Sequence, residues 1–247
     1  ATTTTVRPQT APFSVASQTI VLEASVSNSL PVNVGTVTFT LLNSAGATIG
    51  TPTASAIVAD GTARGNYVLP ANTAQQSLVI LAAYSGGAGF AASYGIGTLT
   101  ITATGTVTTV TNVSAALSPV DHTVALVGTV TAANASPINE GTLTFTVRDG
   151  GGTIIGAPVA TSVVSNVANA SFPLPGGLPA QTMTITGAYG GTVNFLSSSG
   201  TGMLTVGCPA VIISPATLPH AVLGRPYSQT LTFTGATPVT ATFSGTL

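Results

Sequence analysis

The feature that most constrains the fold is a strict alternation of apolar and polar residues in many short segments. In GTVTFTLLNSAG (residues 35–46), Val37, Phe39 and Leu41 alternate with threonines. Apolar residues at every second position share one face of an extended strand. Threonine suits the other face, because its branched side chain fits the pleat while its hydroxyl meets water. Such segments are typical of half-buried β-strands.

The alternating segments occur twice, at a separation of about 105 residues. AYSGGAGFAAS (residues 83–93) and AYGGTVNFLSS (residues 188–198) share Ala-Tyr, a glycine pair, a phenylalanine and a following serine. GTLTFTVRDGGG (residues 141–152) likewise repeats residues 35–46. A period of this length is that of a whole domain and not of a solenoid repeat. We therefore expect two copies of one domain, at residues 1–104 and 105–206.

No long segment of the sequence places apolar residues at helical spacing. The 28 glycines and 16 prolines are scattered and would break most candidate helices. The strand-like segments are short and separated by turn signals, such as Asp60-Gly61 and Asp149-Gly150. The pattern predicts an all-β fold in which each unit is a two-sheet sandwich of about seven strands.

The repeated stretch predicts the same corner in both domains. A tyrosine ends one strand, the glycines make the turn, and a phenylalanine packs into the core before the last strand. We assign this structural role to six residues: Tyr84, Gly86, Phe90, Tyr189, Gly191 and Phe195.

The end of each unit resembles a family of bacterial immunoglobulin-like repeats with the signature A-x-Y-x-G-D-x-N-F-x-x-S…L-T-V. The matching segments are AAYSGGAGFAASYGIGTLTI (residues 82–101) and GAYGGTVNFLSSSGTGMLTV (residues 187–206). The resemblance covers roughly residues 1–206, and it implies tandem immunoglobulin-like sandwiches in an elongated arrangement. The family's turn aspartate is absent: Gly87 or Ala88 stands there in one copy, and Thr192 or Val193 in the other.

The sequence changes character from residue 207 onward. SPATLPHAVLGRPYSQTLTFTGATP (residues 214–238) resembles the opening of a second family of immunoglobulin-like domains. The resemblance implies a partial third sandwich at residues 207–247, and we expect the full protein to continue beyond it.

Charged residues are scarce. They make up 4% of the chain, none is lysine, and the net charge is −1, whereas about 25% is usual. We therefore expect no binding to nucleic acid or to an anionic membrane surface. No apolar run reaches the ~20 residues that span a bilayer, so we expect no membrane-spanning segment. A polar surface of threonine, serine and asparagine suits an extracellular protein.

The ionisable residues form no recognisable catalytic or metal-binding pattern. No two of the five acidic residues are close in sequence, whereas calcium sites usually cluster several carboxylates. No nucleophile signature such as G-x-S-x-G is present, and His122 is interpreted as a solvated residue at a strand end. We predict no enzymatic activity, no catalytic residue, no cofactor and no metal site.

Cys208 is the single cysteine, so the chain has no internal disulfide. Two interpretations stay open: a small buried or semi-buried residue, or half of a disulfide whose partner lies outside this chain segment or on another chain.

Low charge also bears on the predicted role. Sheet edges are usually protected by charges or proline, and this chain has few charges to place there. We hypothesise a building block of a bacterial extracellular filament, stalk or surface layer that self-associates through strand-edge and end-to-end contacts. The alternatives are an adhesin-type binding module and a passive spacer that presents a distant tip; no surface glycan or host partner is identified. The predicted inter-subunit strand consists of Thr2, Thr3, Thr4, Thr5 and Val6.

Overall fold

The computed structural model describes residues 1–208, 212–214, 217 and 228–234. Every helix or strand element in this part of the chain is a β-strand. The strands of the first sandwich, domain 1, are β1 (Thr3–Val6), β2 (Gln9–Pro12), β3 (Gln18–Ser27), β4 (Val37–Leu42), β5 (Thr53–Ala54), β6 (Thr62–Leu69), β7 (Gln76–Tyr84) and β8 (Ser93–Thr102). Those of the second, domain 2, are β9 (Thr106–Val110), β10 (Val113–Ala116), β11 (His122–Ala132), β12 (Thr142–Arg148), β13 (Ile154–Ser162), β14 (Val167–Leu174), β15 (Gln181–Tyr189) and β16 (Ser198–Gly207).

The two sandwiches share one topology. In domain 1 the sheet β1-β3-β6 faces the sheet β2-β8-β7-β4-β5, and in domain 2 the sheet β14-β11-β9 faces the sheet β10-β16-β15-β12-β13. Neighbouring strands are antiparallel except for β2 with β8 and β10 with β16, which are parallel. The first strand of each sandwich is thus split into two segments that pair in opposite sheets: β1 and β2 in domain 1, and β9 and β10 in domain 2. This is the architecture of an immunoglobulin-like sandwich, and the prediction of tandem all-β sandwiches is confirmed.

The core of each domain is filled by the inward positions of the alternating strands. Val37, Phe39 and Leu41 of β4 are fully buried, and the threonines between them face outward. Leu143, Phe145 and Val147 of β12 are buried in the same way. Burying a large apolar side chain contributes about 1.5–3 kcal/mol, so the alternation itself selects which face of each strand turns inward.

The first and last strands of each domain approach closely at a glycine. A Cβ atom on Gly95 of β8 would lie 2.2 Å from the carbonyl oxygen of Thr4. At the matching position of domain 2, a Cβ on Gly200 would lie 2.1 Å from the carbonyl oxygen of Thr108. No side chain fits in this space, so glycine is required where the last strand passes under the first.

Two of the sheet edges, β5 and β13, are short or irregular and lie at or next to proline. The edge strand β5 has only two residues and follows Pro52. The longer edge strand β13 contains Pro158 and Gly156, the latter with φ of 67°, and its pairing with β12 shifts register between Phe145 and Val147. Proline and bulges hinder pairing with another chain. The β5 and β13 edges are therefore protected without charge.

The segment that was predicted to pair between subunits is part of domain 1. Strand β1 pairs antiparallel with β3, from Thr3 opposite Ser27 to Val6 opposite Ala24. The side chains of Thr4 and Val6 are buried. Thr2 Oγ1 also donates to the carbonyl oxygen of Ala91 over 2.6 Å. β1 nevertheless lies at the edge of its sheet, so its pairing with another subunit along the outer edge stays a prediction.

Beyond domain 2, the structure describes two short strands. β17 (Ile212–Ser214) pairs antiparallel with β18 (Thr232–Thr234). Most of the sequence that was predicted to form a third sandwich, residues 207–247, lies outside the described residues. No helix in the described part of the chain is long and apolar enough to cross a lipid bilayer.

Candidate functional site: the interdomain junction

In each copy of the repeated corner, the ring of a buried tyrosine packs against a glycine. Tyr84 Oη donates to the carbonyl oxygen of Val34 over 2.8 Å, and Tyr189 Oη donates to that of Glu140 over 3.1 Å. The following residues, Gly35 and Gly141, have φ of 77° and 80°. A Cβ atom on either would lie less than 3 Å from the tyrosine ring, so both positions exclude a side chain.

The glycines of the corner turn the chain toward the phenylalanine. Gly86 and Gly191 both have φ of 74°. A Cβ atom on either would lie 2.9 Å from the carbonyl oxygen of the phenylalanine that follows, Phe90 or Phe195. The two copies of the corner therefore have the same backbone geometry.

The two phenylalanines nevertheless differ in burial. Phe195 is 1% exposed, whereas Phe90 is only half-buried. Phe195 is covered by Phe13 of domain 1, whose ring meets it edge-on at a centroid distance of 5.3 Å and an interplanar angle of 86°. Phe195 thus contributes to a contact between domains as well as to the core of its own domain.

The linker between the domains is short and its middle residue is buried. It consists of residues 103–105, between β8 and β9, and Thr104 is 2% exposed. Thr104 N donates to the carbonyl oxygen of Asn194 over 2.8 Å, and the Thr104 carbonyl oxygen accepts from Leu196 N over 2.9 Å. Thr104 Oγ1 donates to the carbonyl oxygen of Phe13 over 2.6 Å. One linker residue is therefore bonded to both domains.

Further hydrogen bonds join the loops on either side of the linker. Asn134 Nδ2 donates to the same Phe13 carbonyl oxygen over 2.8 Å. The backbone N–H of Gln75 donates to Asn194 Oδ1 over 3.3 Å. We call this contact, formed by Phe13, Thr104, Asn134, Asn194 and Phe195, the interdomain junction. It joins the β2–β3 and β6–β7 loops of domain 1 to the β11–β12 and β15–β16 loops of domain 2.

An open cleft of about 380 Å³ lies beside the interdomain junction. It is lined by apolar and amide side chains and by one carboxylate, that of Glu140. Glu140 Oε1 accepts from Thr192 Oγ1 over 3.2 Å and from Asn194 Nδ2 over 3.3 Å. Across the residues that the structure describes, no three His, Cys, Asp or Glu side chains lie together as a metal ion would require. The residues at the cleft can hold two domains in place.

Two other residues singled out in the sequence lie elsewhere. His122 begins β11, where its Nδ1 is buried without a hydrogen-bond partner, unlike the solvated residue that was expected. The neighbouring Asp121 accepts from Gly176 N over 2.9 Å.

Cys208 follows β16 as an exposed free thiol, so it is not a buried residue. Its pairing with a cysteine outside this segment stays a prediction.

Burial raises the pKa of two tyrosines. For Tyr67, desolvation by burial is the main cause. For Tyr189, desolvation is again the largest cause, and the negative charge of Glu140 adds to it. Both phenols therefore hold their protons to a higher pH in the folded chain than in the unfolded one.

We expect the free energy of unfolding to fall as the pH rises above about 10, where unfolded tyrosines ionise. There the unfolded state binds fewer protons than the folded state, so stability decreases with pH, while below pH ~10 the contribution is fully present. Urea titrations at a series of alkaline pH values measure this. The control is Tyr67→Phe/Tyr189→Phe, for which the fall should be smaller. An equal fall in stability of the native chain and of the double variant would show that other ionisable groups cause it. Because the chain has no lysine, few such groups exist.

The fold and the interdomain junction define a class of protein: tandem immunoglobulin-like sandwiches joined end to end through a short, buried linker. No family model and no curated protein matches this sequence. Neither family resemblance is therefore confirmed beyond the level of immunoglobulin-like repeats.

Several solved structures are similar to the chain at low identity. A tetra-tandem repeat from the extending region of a large adhesion protein is 18% identical with a TM-score of 0.43, and the match covers 86% of this chain and 51% of that one. The titin domains z1z2, solved in complex with telethonin, are 17% identical with a TM-score of 0.37, covering 83% and 96%. Trypsin-activated α-2-macroglobulin from Escherichia coli is 12% identical with a TM-score of 0.33, covering 83% and 15%. The chain thus spans about half of the adhesion-protein structure, and similarity at this level carries no inference about function.

Proposed function

We propose that the chain is a non-enzymatic structural segment of a bacterial extracellular protein, in which sandwiches are held end to end as a stiff element of a filament, stalk or surface layer. The interdomain junction carries this proposal. Through it, contacts between the two domains set their relative orientation, which a flexible linker alone would leave free.

The contacts at the linker argue for stiffness. A flexible linker is an exposed, mobile coil, whereas Thr104 is buried and makes three hydrogen bonds within the described residues. An edge-to-face aromatic pair such as Phe13 and Phe195 adds about 0.5–1.5 kcal/mol beyond its buried area. Bending the tandem at this point would expose both rings and break those bonds.

The composition supports a mechanical role outside the cell. The domain is duplicated, and its outward strand positions carry mainly threonine and serine in place of charged residues. The few ionic groups are dispersed, and the strongest ion pairs are surface contacts of Glu23 with Arg64 at 2.8 Å and with Arg7 at 3.7 Å. Exposed pairs of this kind contribute little to stability. Backbone pairing and apolar packing therefore hold the domains together.

A distance measurement between the domains tests the proposal. Spin labels at the native Cys208 and at Ser25→Cys, an exposed position of β3, report the arrangement of domain 2 relative to domain 1. We expect a narrow distance distribution in pulsed electron paramagnetic resonance, because the interdomain junction fixes the domains. Thr104→Gly, which removes a side-chain bond and adds backbone freedom, should broaden it. A broad distribution in the otherwise native chain would show free domains and refute the stiff-segment proposal.

The alternatives differ in what the loops and surfaces should do. A binding module would use a loop cluster to hold a partner, whereas a passive spacer would keep stiff domains with no lateral contact. The interdomain junction is compatible with a spacer, so the building-block hypothesis needs a lateral contact in addition. The β5 and β13 edges are poorly suited to that contact, and the face of one sheet is better suited.

A further inference from the structure

One sheet face of domain 1 is unusually apolar. On the outer side of the five-stranded sheet, Leu81 of β7 pairs directly with Ile96 of β8, and Val79 of β7 pairs with Leu42 of β4. Tyr94 extends the same row along β8. Tyr94 is 76% exposed, Ile96 70% and Val79 41%. We call these five residues, with the threonines between them, the apolar face.

Domain 2 provides an internal comparison at the same positions. Because the two domains share their strand pairing, each residue of the apolar face has an equivalent in β12, β15 or β16. The equivalents are all polar or charged: Arg148 for Leu42, Thr184 for Val79, Thr186 for Leu81, Ser199 for Tyr94 and Thr201 for Ile96. Polar residues at these positions therefore form the same strands in domain 2. The requirements of the fold do not explain why the side chains are apolar in domain 1.

The apolar face also carries no charge. None of the strands β2, β4, β5, β7 and β8 contains Asp, Glu, Lys or Arg. The ionic contacts of Glu23 with Arg7 and Arg64 lie on the opposite sheet, on strands β3 and β6 and after β1. A charged partner would find nothing to pair with on the apolar face. A second, identical face is complementary to it, since neither surface needs an opposite charge and the charged sheets stay in water.

The size of the apolar face suits a weak contact between copies. The apolar face spans three strands about 4.8 Å apart and three outward positions about 6.8 Å apart along each strand, so it measures roughly 14 Å by 20 Å. Two such faces together bury about 600 Å², which is in the range of weak and transient contacts. Sheets pack face to face in this way within ordinary sandwiches, with aligned strands and interdigitating side chains.

We infer that the apolar face of domain 1 binds the same face of a second copy of the chain, giving lateral pairing of end-to-end tandems. The inference deepens the proposed function and rests on it, because it names the partner that a stiff structural segment would assemble with. Contiguous exposed apolar surface commonly marks an interaction site.

Sedimentation equilibrium over micromolar to millimolar concentrations tests the inference. The native chain should show reversible self-association. A variant with the domain 2 residues, Val79→Thr/Leu81→Thr/Tyr94→Ser/Ile96→Thr, should have a Kd raised by at least ~10-fold. Met203→Thr, which removes the exposed apolar residue of the equivalent domain 2 face, serves as the control and should leave Kd unchanged. A native chain that stays monomeric, or an equal loss in the control, would overturn the inference.

A charge-exchange pair tests the identity of the partner and covers the case in which the multiple variant fails to fold. Ile96→Lys and Ile96→Glu should each abolish association alone, because like charges then face each other. Mixing the two should restore it. Failure of the mixture to associate would exclude pairing between copies.

The distance measurement separates this inference from the proposed function. Suppose that the spin-labelled Ile96→Lys variant gives a narrow interdomain distance distribution, and that substitutions on the apolar face leave self-association unchanged. These two results together would overturn only the lateral contact. A broad distribution would instead overturn the stiff segment.

Discussion

Phe195→Ala is expected to lower the free energy of unfolding of domain 2 by about 3–5 kcal/mol, the usual cost of removing a buried phenylalanine ring. The side chain is 1% exposed and meets the Phe13 ring edge-on. The substitution removes packing from the core of domain 2 and from the interdomain junction at once. Differential scanning calorimetry should show one transition at lower temperature, and the interdomain distance distribution should broaden.

Phe90→Ala is the matched control for that prediction. Phe90 occupies the same corner of domain 1 with the same glycine geometry, but it is half-buried. Its loss should cost roughly 1–2 kcal/mol, in proportion to the smaller area removed from water, and should leave the distance distribution unchanged. Equal losses of unfolding free energy in the two variants would mean that packing against the Phe13 ring adds nothing to the stability that Phe195 contributes.

Gly200→Ala is expected to destabilise domain 2 by about 3 kcal/mol, the upper end of the range for overpacking. The new methyl group would meet the carbonyl oxygen of Thr108 at 2.1 Å and its carbonyl carbon at 2.8 Å. These are backbone atoms and cannot rotate away, so β9 must separate from β16. Chemical unfolding followed by circular dichroism measures the cost.

Gly150→Ala is the control for the glycine prediction. Gly150 lies in a turn of the same domain, where a Cβ atom would meet nothing within 4 Å. The substitution should change the stability by less than about 0.5 kcal/mol, as surface substitutions generally do. If both alanines were tolerated equally, the close approach of the first and last strands would not be a requirement of the fold.

Much of the fold was predictable because it depends on local alternation. Threonine and apolar residues alternate in β4 and β12, and the pattern directly predicts which side of each strand is buried. The duplication added a second, independent example of every signal. The predicted corner, from Tyr84 to Phe90 and from Tyr189 to Phe195, consists of residues that are close in sequence, so the turn follows from local geometry.

The interdomain junction was not predictable in the same way. Phe90 and Phe195 occur in similar sequence, and their different burial depends on Phe13, which is distant from both along the chain. Thr104 and Asn134, the residues that hydrogen-bond to Phe13, carry no motif that indicates a contact between domains. Contacts between domains depend on which loops meet in space, and the alternation of single strands says nothing about that.

The apolar face was hidden by the composition of β7. In SLVILAAY (residues 77–84) both faces carry apolar residues, so alternation does not distinguish the inward side from the outward one. Only the strand pairing shows that Val79 and Leu81 point away from the core. The comparison with Thr184 and Thr186 then identifies them as a departure from the repeat.

The parallel pairing of β2 with β8 bears on how the chain would respond to tension. β2 lies near the start of domain 1 and β8 at its end, and they share four residue pairs, from Gln9 opposite Leu99 to Pro12 opposite Thr102. Pulling the two ends apart slides these strands past each other, so their hydrogen bonds carry the load together instead of opening one at a time. The same holds for β10 and β16 in domain 2. We therefore expect each sandwich to resist stretching along its length better than prying from its side.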